Sequence, residues 1–293
     1  MSETGSTLAR RQLGKYLREG REECGLTLQQ AAALIERSAS TLQRIEKGAV
    51  AHLRDVDLEA LCRIYGFDED RTAAMKALAA QGNEDSWWCE YGDLMPPKFD
   101  FYVGLEAAAR RLTTYEPELV PGLLQTPGYA STLIRSVYPE DGPEEHARRV
   151  QLRMRRQLRI TRKYQPATLE VILRESVLRS TVGGAKVMFA QLKHLADIGT
   201  LANVTLQVLP YSAGFPLGVA VGPFVLLDFG VDSRGRLIEP PVAYAECFTG
   251  DLYLAKSSAI QRYHQAYESL RRSAMDVTAS RALLRQMAKE YGS

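Results

Sequence analysis

Four cysteines and four histidines in 293 residues are few, and they are scattered. Cys24, Cys62, Cys89 and Cys247 form no Cys-x-x-Cys pair and have no histidine at ligand spacing. Free buried thiols are therefore expected, not a disulfide framework or a metal site. No apolar run approaches the roughly 20 residues of a membrane span. The N-terminal MSETGSTLARRQ also lacks the apolar stretch of a signal peptide, so a cytoplasmic location is expected. Charge of one sign is lacking too: the formal net charge is +2, weak for a nucleic-acid binder. Catalytic signatures are equally thin. Gly183-Gly184 precedes a helical pattern, but no Lys-Ser/Thr follows as a phosphate-binding loop requires. Ser257-Ser258 and His264 have no carboxylate to orient them, and an amphipathic helix accounts for all three. Neither enzymatic activity nor a cofactor is expected.

What the chain does hold is length for two modest cores and the composition of a globular protein, 45% hydrophobic and 25% charged. Its most informative stretch is 26–48, LTLQQAAALIERSASTLQRIEKG, two short helical patterns around a tight turn. Leu28, Ala32 and Ile35 recur at i, i+4, i+7, and Ala39, Leu42 and Ile45 at i, i+3, i+6, one apolar stripe each. Thr27 caps the first helix and Ser38 the second. Ser40, Thr41, Gln43, Arg44 and Lys47 are left facing outward, donors with no carboxylate among them. Such a face suits the major groove, where Arg reads guanine and Gln reads adenine. Base contacts are expected from Ser40, Gln43 and Arg44, phosphate contacts from Thr41 and Lys47, and Thr27 joins the DNA-facing set.

This stretch resembles the helix-turn-helix of the XRE family of phage-repressor-like domains, without a gap through Glu46-Lys47-Gly48. The resemblance implies an all-α, five-helix, lambda-repressor-like domain that binds double-stranded DNA, with Arg21 and Glu46 as an ion pair bracing the recognition helix. Two positions depart from the family pattern. Leu28 stands where many members carry a phosphate-contacting glutamine, and Glu36 stands in the turn where glycine is usual. A non-glycine residue in the left-handed region costs about 1 kcal/mol.

Residues 1–82 hold twelve Lys and Arg against twelve Asp and Glu. The bases Arg10, Arg11, Lys15, Arg18 and Arg21 crowd the first helix. The acids Asp55, Asp57, Glu59, Asp68, Glu69 and Asp70 lie in the fourth and fifth. A basic end can still dock on phosphate, but a neutral module binds modestly. A homodimer is therefore expected, joined through residues 83–293.

Helices are predicted over 8–24, 55–65 and 68–80, completing a DNA-binding domain over 1–82. After the polar break at 82–86, a mixed α+β domain is expected over 83–293, with a helical lead-in over 87–165 and a sheet region over 166–293. The lead-in opens on Trp87-Trp88, adjacent tryptophans expected to pack on this second domain. It holds predicted helices at 101–112, at 127–137 behind the N-cap Thr126, and at 143–163. The last is rich in arginine, with Val150, Met154 and Leu158 as its apolar seam. Its arginines read either as core groups paired with acids or as a docking face for phosphate or a small acidic protein. For the docking face, Arg149, Arg153 and Arg156 are the partner-binding candidates. Strands are predicted at 168–173, 204–209, 223–229 and 242–247, helices at 184–198, 253–274 and 277–291, and a hairpin through Asp232-Ser233-Arg234-Gly235. The loop Tyr211–Gly218 reads either as the rim of a small-molecule pocket or as ordinary surface, and no ligand residue is assigned.

Trp87-Trp88 with Tyr91, VPGLLQTPGYA (120–130), RVQLRMRRQ (149–157), LRESVLRS (173–180), VGGAKVMFAQLKHL (182–195) and NVTLQVLP (203–210) resemble the C-terminal domain of WhiJ-like actinobacterial regulators. In those proteins it follows an XRE domain in this order. The resemblance implies a transcriptional regulator of development or antibiotic production, encoded beside a small partner protein in an antitoxin-like pair. A repressor that senses a small-molecule effector is the alternative.

Overall fold

The computed structural model describes residues 8–50, 53–69, 71–72, 75–76, 79, 87–96, 99–231, 235, 237–238, 240–248, 250–254 and 256–292. They belong to two compact units, 1–108 and 109–293.

The N-terminal unit is all-α. Helix α1 spans Leu8–Glu23, α2 Leu28–Leu34, α3 Ala39–Glu46 and α4 Asp55–Ile64. The described residues from 69 to 79 are helical as well, where the fifth helix is expected. A 3-10 turn at Cys89–Tyr91 and α5, Phe99–Ala108, complete it. Leu13 and Leu17 of α1, Ala31 and Ala32 of α2, Leu42 and Ile45 of α3, and Leu58 and Leu61 of α4 share one core with Met75 and Ala79. Gly14 lets α1 press directly on the end of α3: a Cβ there would lie 2.5 Å from the Glu46 carbonyl oxygen.

The C-terminal unit carries one six-stranded sheet in the order β3-β2-β1-β4-β5-β6. β1 is Arg111–Glu116, β2 Thr168–Arg174, β3 Val204–Leu209, β4 Phe224–Asp228, β5 Val242–Cys247 and β6 Gly250–Leu254. β1, β2 and β3 run parallel, and β4, β5 and β6 continue the sheet antiparallel. Parallel neighbours need long crossovers. Helices α6 (Pro127–Val137), α7 (Pro143–Arg156) and the short α8 (Leu158–Thr161) supply the first, and α9 (Glu175–Arg179) and α10 (Ala185–Ile198) the second. α11 (Ser257–Ser273) lays Ile260, Tyr267 and Leu270 on one sheet face, against Tyr115, Ile172, Phe224, Leu226 and Ala243. α12 (Val277–Gly292) packs on α10 and on β3.

The α+β class is as expected, but its layout differs from the sequence reading. β1 lies inside the predicted helical lead-in, and the helix predicted over 101–112 ends at Ala108. Leu112, Thr113, Thr114 and Tyr115 are all buried, so this central strand shows none of the alternation that marks a half-exposed one. Residues 87–108 group with the N-terminal unit, and the two compact units divide after Ala108. Trp88 is buried there and meets Trp87 edge to face at 5.7 Å, so the tryptophan pair belongs to the first unit and not to the second. The basic helix breaks at Gln157, and residues 250–254, partly inside a predicted helix, form β6. The linker 82–86 and Asp232-Ser233-Arg234 of the predicted hairpin lie outside the described residues, although Val231 and Leu237 form an antiparallel bridge around the latter.

Candidate nucleic-acid interface

α2 starts where Thr27 can cap it. The Thr27 hydroxyl oxygen accepts from the Gln30 N–H at 3.2 Å, and the Gln30 side chain accepts from the Thr27 N–H at 2.9 Å. Thr27 is thus engaged as a cap, while Leu28, half-buried, packs on the core. The helix closes with Glu36 at φ +56, its N–H donating to Ala33 O at 3.1 Å, and the Arg37 N–H donating to Ala32 O at 2.9 Å. These two bonds make a left-handed Schellman closure. The same closure ends α1, α3 and α4 with Gly25, Gly48 and Gly66 in the left-handed position. Only the turn between α2 and α3 makes it with a side chain.

Ser38 caps α3. Its oxygen accepts from the Thr41 N–H at 3.1 Å and lies 2.9 and 2.8 Å from the hydroxyls of Ser40 and Thr41. Beyond this hydroxyl cluster, Gln43, Arg44 and Lys47 project from the exposed side of α3. Their side chains make no hydrogen bond or ion pair with any described residue. The buried side is fixed by Leu42 and Ile45 in the core and by Glu46, which accepts from Arg21 Nε at 2.6 Å and Nη2 at 3.0 Å. Arg21 Nη1 also donates to Leu26 O at 2.8 Å. The hydrogen bond and charge of Glu46 hold the Arg21 guanidinium above its ordinary pKa, against the opposing effect of burial.

The other bases of α1 are occupied. Lys15 lies 4.0 Å from Glu19, Arg18 donates to Glu22 at 2.9 Å, and Arg10 is buried. Lys15 and Arg18 of the expected basic docking end thus each have an acid one turn along α1. A second ion network, not expected from the sequence, ties the turn to α4. Buried Asp57 accepts from Arg54 at 2.9 and 3.0 Å and from Arg37 at 3.3 Å. The spacing Arg54-x-x-Asp57 was the available signal; Asp57 reads from sequence as a helix-dipole acid.

In the C-terminal unit, Arg149, Arg153 and Arg156 do not form a docking face. Arg149 pairs with Asp141 at 2.5 Å and lies 3.6 Å over the Tyr138 ring. Arg153 Nη1 donates to Gln125 Oε1 at 2.7 Å. Arg156 is 6% exposed, with its guanidinium against Gly122. Gln157 donates to Gln125 O at 2.6 Å, and Gln191 donates to Leu124 O at 2.7 Å. The loop 120–126 presents main-chain carbonyls to the interior, and these buried acceptors need donors. The arginine stripe faces that loop, whereas Leu158 of the predicted apolar seam is exposed.

The family model described as a domain of unknown function (DUF5753) matches residues 99–286, well over half the chain. The chain belongs to the DUF5753 family. A second model, described as a helix-turn-helix domain, matches residues 12–75, from within α1 to beyond α4. It supports a DNA-binding regulator. No curated protein and no solved structure matches the chain.

In the C-terminal unit, the loop expected to rim a pocket covers a cleft of about 240 Å³ lined by Tyr115, Arg174, Leu209, Phe215, Leu217 and Leu270. Arg174 lies 4.6 Å over the Phe215 ring. That space is below the roughly 300–1,000 Å³ of common ligand pockets. Among the described residues no cluster of His, Cys, Asp and Glu suits a metal, and no helix is long and apolar enough to cross a membrane.

Proposed function

We propose that this DUF5753 protein is a sequence-specific transcriptional regulator that reads double-stranded DNA with α3, binding as a homodimer. One observation carries the reading. Gln43, Arg44 and Lys47 are exposed on a helix whose opposite side is locked by Leu42, Ile45 and the Arg21–Glu46 pair. A rigid helix with an uncommitted polar face fits groove recognition, because base discrimination needs side chains whose donors are not already spent. Ser40, Gln43 and Arg44 read bases, while Thr41 and Lys47 hold phosphate. The protein carries out no catalysis. The C-terminal unit, 109–293, receives a signal, from a partner protein or a small-molecule effector. The likeness to WhiJ-like regulators supports a role in development or antibiotic production and an antitoxin-like relation to a neighbouring-gene product.

The test is selection of bound fragments from a random DNA library by the full chain. Enrichment of a two-fold sequence with half-sites about one helical turn apart is expected. Enrichment of no sequence would remove the reading.

A further inference from the structure

We propose that β6 is the edge through which two copies of this chain join, strand against antiparallel strand, into one continuous sheet. The sheet has two edges, and one is covered. The outer side of β3 is held by Met275, before α12, and by the first turn of α12: the Met275 N–H donates to Val208 O at 2.8 Å, and the Val208 N–H donates to Ser280 Oγ at 2.9 Å. β6 ends the sheet on the other side, and no described strand lies beyond it.

Soluble proteins guard open edges with lysine, proline, a bulge or an inward charge. β6 reads Gly-Asp-Leu-Tyr-Leu and has no lysine or proline. Its register with β5 runs unbroken from Ala243↔Leu254 to Cys247↔Gly250, so it has no bulge. Its one charge, Asp251, is half-buried and accepts a hydrogen bond from the Tyr244 hydroxyl on β5. The guards are missing, and apolar surface stands in their place. Leu252 is 51% exposed, and Phe248, in the β5–β6 turn, is fully exposed.

The strand matches itself. Antiparallel pairing centred on Leu252 sets Leu252 opposite its own copy, Asp251 opposite Tyr253, and Gly250 opposite Leu254. No like charges meet, whereas a parallel pairing would set Asp251 on Asp251. Leu252 shares a sheet face with Leu254, which packs on the α11 core, so the paired leucines extend an existing apolar layer. The contact is isologous, as a two-fold dimer requires. A five-residue edge is small beside a standard interface, so the dimer is weak in solution and is reinforced when both copies engage DNA. The choice of a second copy over a foreign strand rests in part on the DNA-binding reading; the open edge does not.

Sedimentation velocity of the full chain across a wide concentration range tests this. Wild type should show a reversible dimer, and Phe248→Ser/Leu252→Lys should weaken it at least tenfold with unchanged circular dichroism and melting temperature. A second measurement does not depend on that variant folding. In a background with the exposed Cys24 and Cys247 replaced by serine, Leu252→Cys should give a disulfide-linked dimer on mild oxidation. Phe248→Cys should not, because Phe248 sits in the turn at one end of β6 and an antiparallel pairing centred on Leu252 places the two turns at opposite ends of the joint. A wild type monomeric at every concentration overturns the proposal. So does a dimer that ignores the double substitution and fails to cross-link at 252, or a foreign protein strand paired to β6 of a monomeric chain. Loss of DNA selectivity with the β6 dimer intact removes the operator reading alone.

Discussion

Arg21 and Glu46 meet as a two-pronged fork between α1 and the last turn of α3, with side chains 9% and 5% exposed. This contact sets the angle at which α3 leaves the core, and Gly14 makes room for it by bringing α1 against the Glu46 carbonyl. Truncating either partner leaves the other charged and buried. Arg21→Ala or Glu46→Ala is expected to cost about 3–5 kcal/mol, measured by urea unfolding. The double variant should cost clearly less than the sum, because no orphaned charge remains. Additive losses would show that the pair is not coupled.

Arg44 stands on the opposite side of the same helix, exposed and without a described partner. Arg44→Ala is therefore expected to leave the melting temperature within the range of a neutral surface change. On the selected DNA site it should cost about 1–3 kcal/mol and relax preference at one base pair. A loss of equal size on every sequence would assign Arg44 to phosphate instead.

The recognition hairpin was legible because everything that builds it is local. Two caps, two apolar stripes and the turn all lie within 27–48, and the Arg21 brace is one helix away. Strands β2 to β5 were legible as Val- and Leu-rich runs between turn residues. β1 was not, because its pairings are to 168–173 and 224–228, far along the chain, and it is covered on both faces. The arginine stripe misled for a different reason. A guanidinium turned onto its own protein looks the same in sequence as one facing solvent, and the receiver of Arg153, the Gln125 side chain, carries no charge to announce it.

That stripe gives a prediction about stability and not about docking. Arg153→Glu sets a carboxylate against the Gln125 side-chain oxygen, and Arg156→Glu puts one in a buried position beside Gly122. Each is expected to destabilise the DUF5753 unit by several kcal/mol, on the order seen for unpaired buried charge. Thermal unfolding of the full chain should show it. An unchanged transition would return these side chains to the surface.

The turn at Glu36 should be improvable. Glu36 holds φ +56 where the other three helix closures use glycine, and a side chain in that region costs about 1 kcal/mol. Glu36→Gly relieves this strain, offset in part by the greater freedom of the unfolded chain. A net gain of up to about 0.5 kcal/mol is expected from urea midpoints. A loss would mean that the Glu36 side chain contributes a contact outweighing its backbone strain.

The last prediction concerns Glu116, at the carboxyl end of β1. Burial, and next the charge of Glu246, push its carboxyl pKa from 4.5 up to about 8. The folded state therefore holds a proton that the unfolded chain has already released. Below about pH 4.5 both states are protonated, and this group imposes no penalty. Between about 4.5 and 8 the unfolded state alone ionises, so stability falls as pH rises, by on the order of a few kcal/mol. Above about 8 the folded carboxyl ionises too, and the slope from this group ends. Glu116→Gln keeps the shape without the titration, so its stability should change less steeply than wild type between pH 5 and 8, in denaturant midpoints measured across that range. Glu246→Gln should shift the wild-type slope toward lower pH, since it removes the repulsion and leaves the burial. Parallel profiles for wild type and Glu116→Gln would show that water reaches the Glu116 carboxyl in the folded protein.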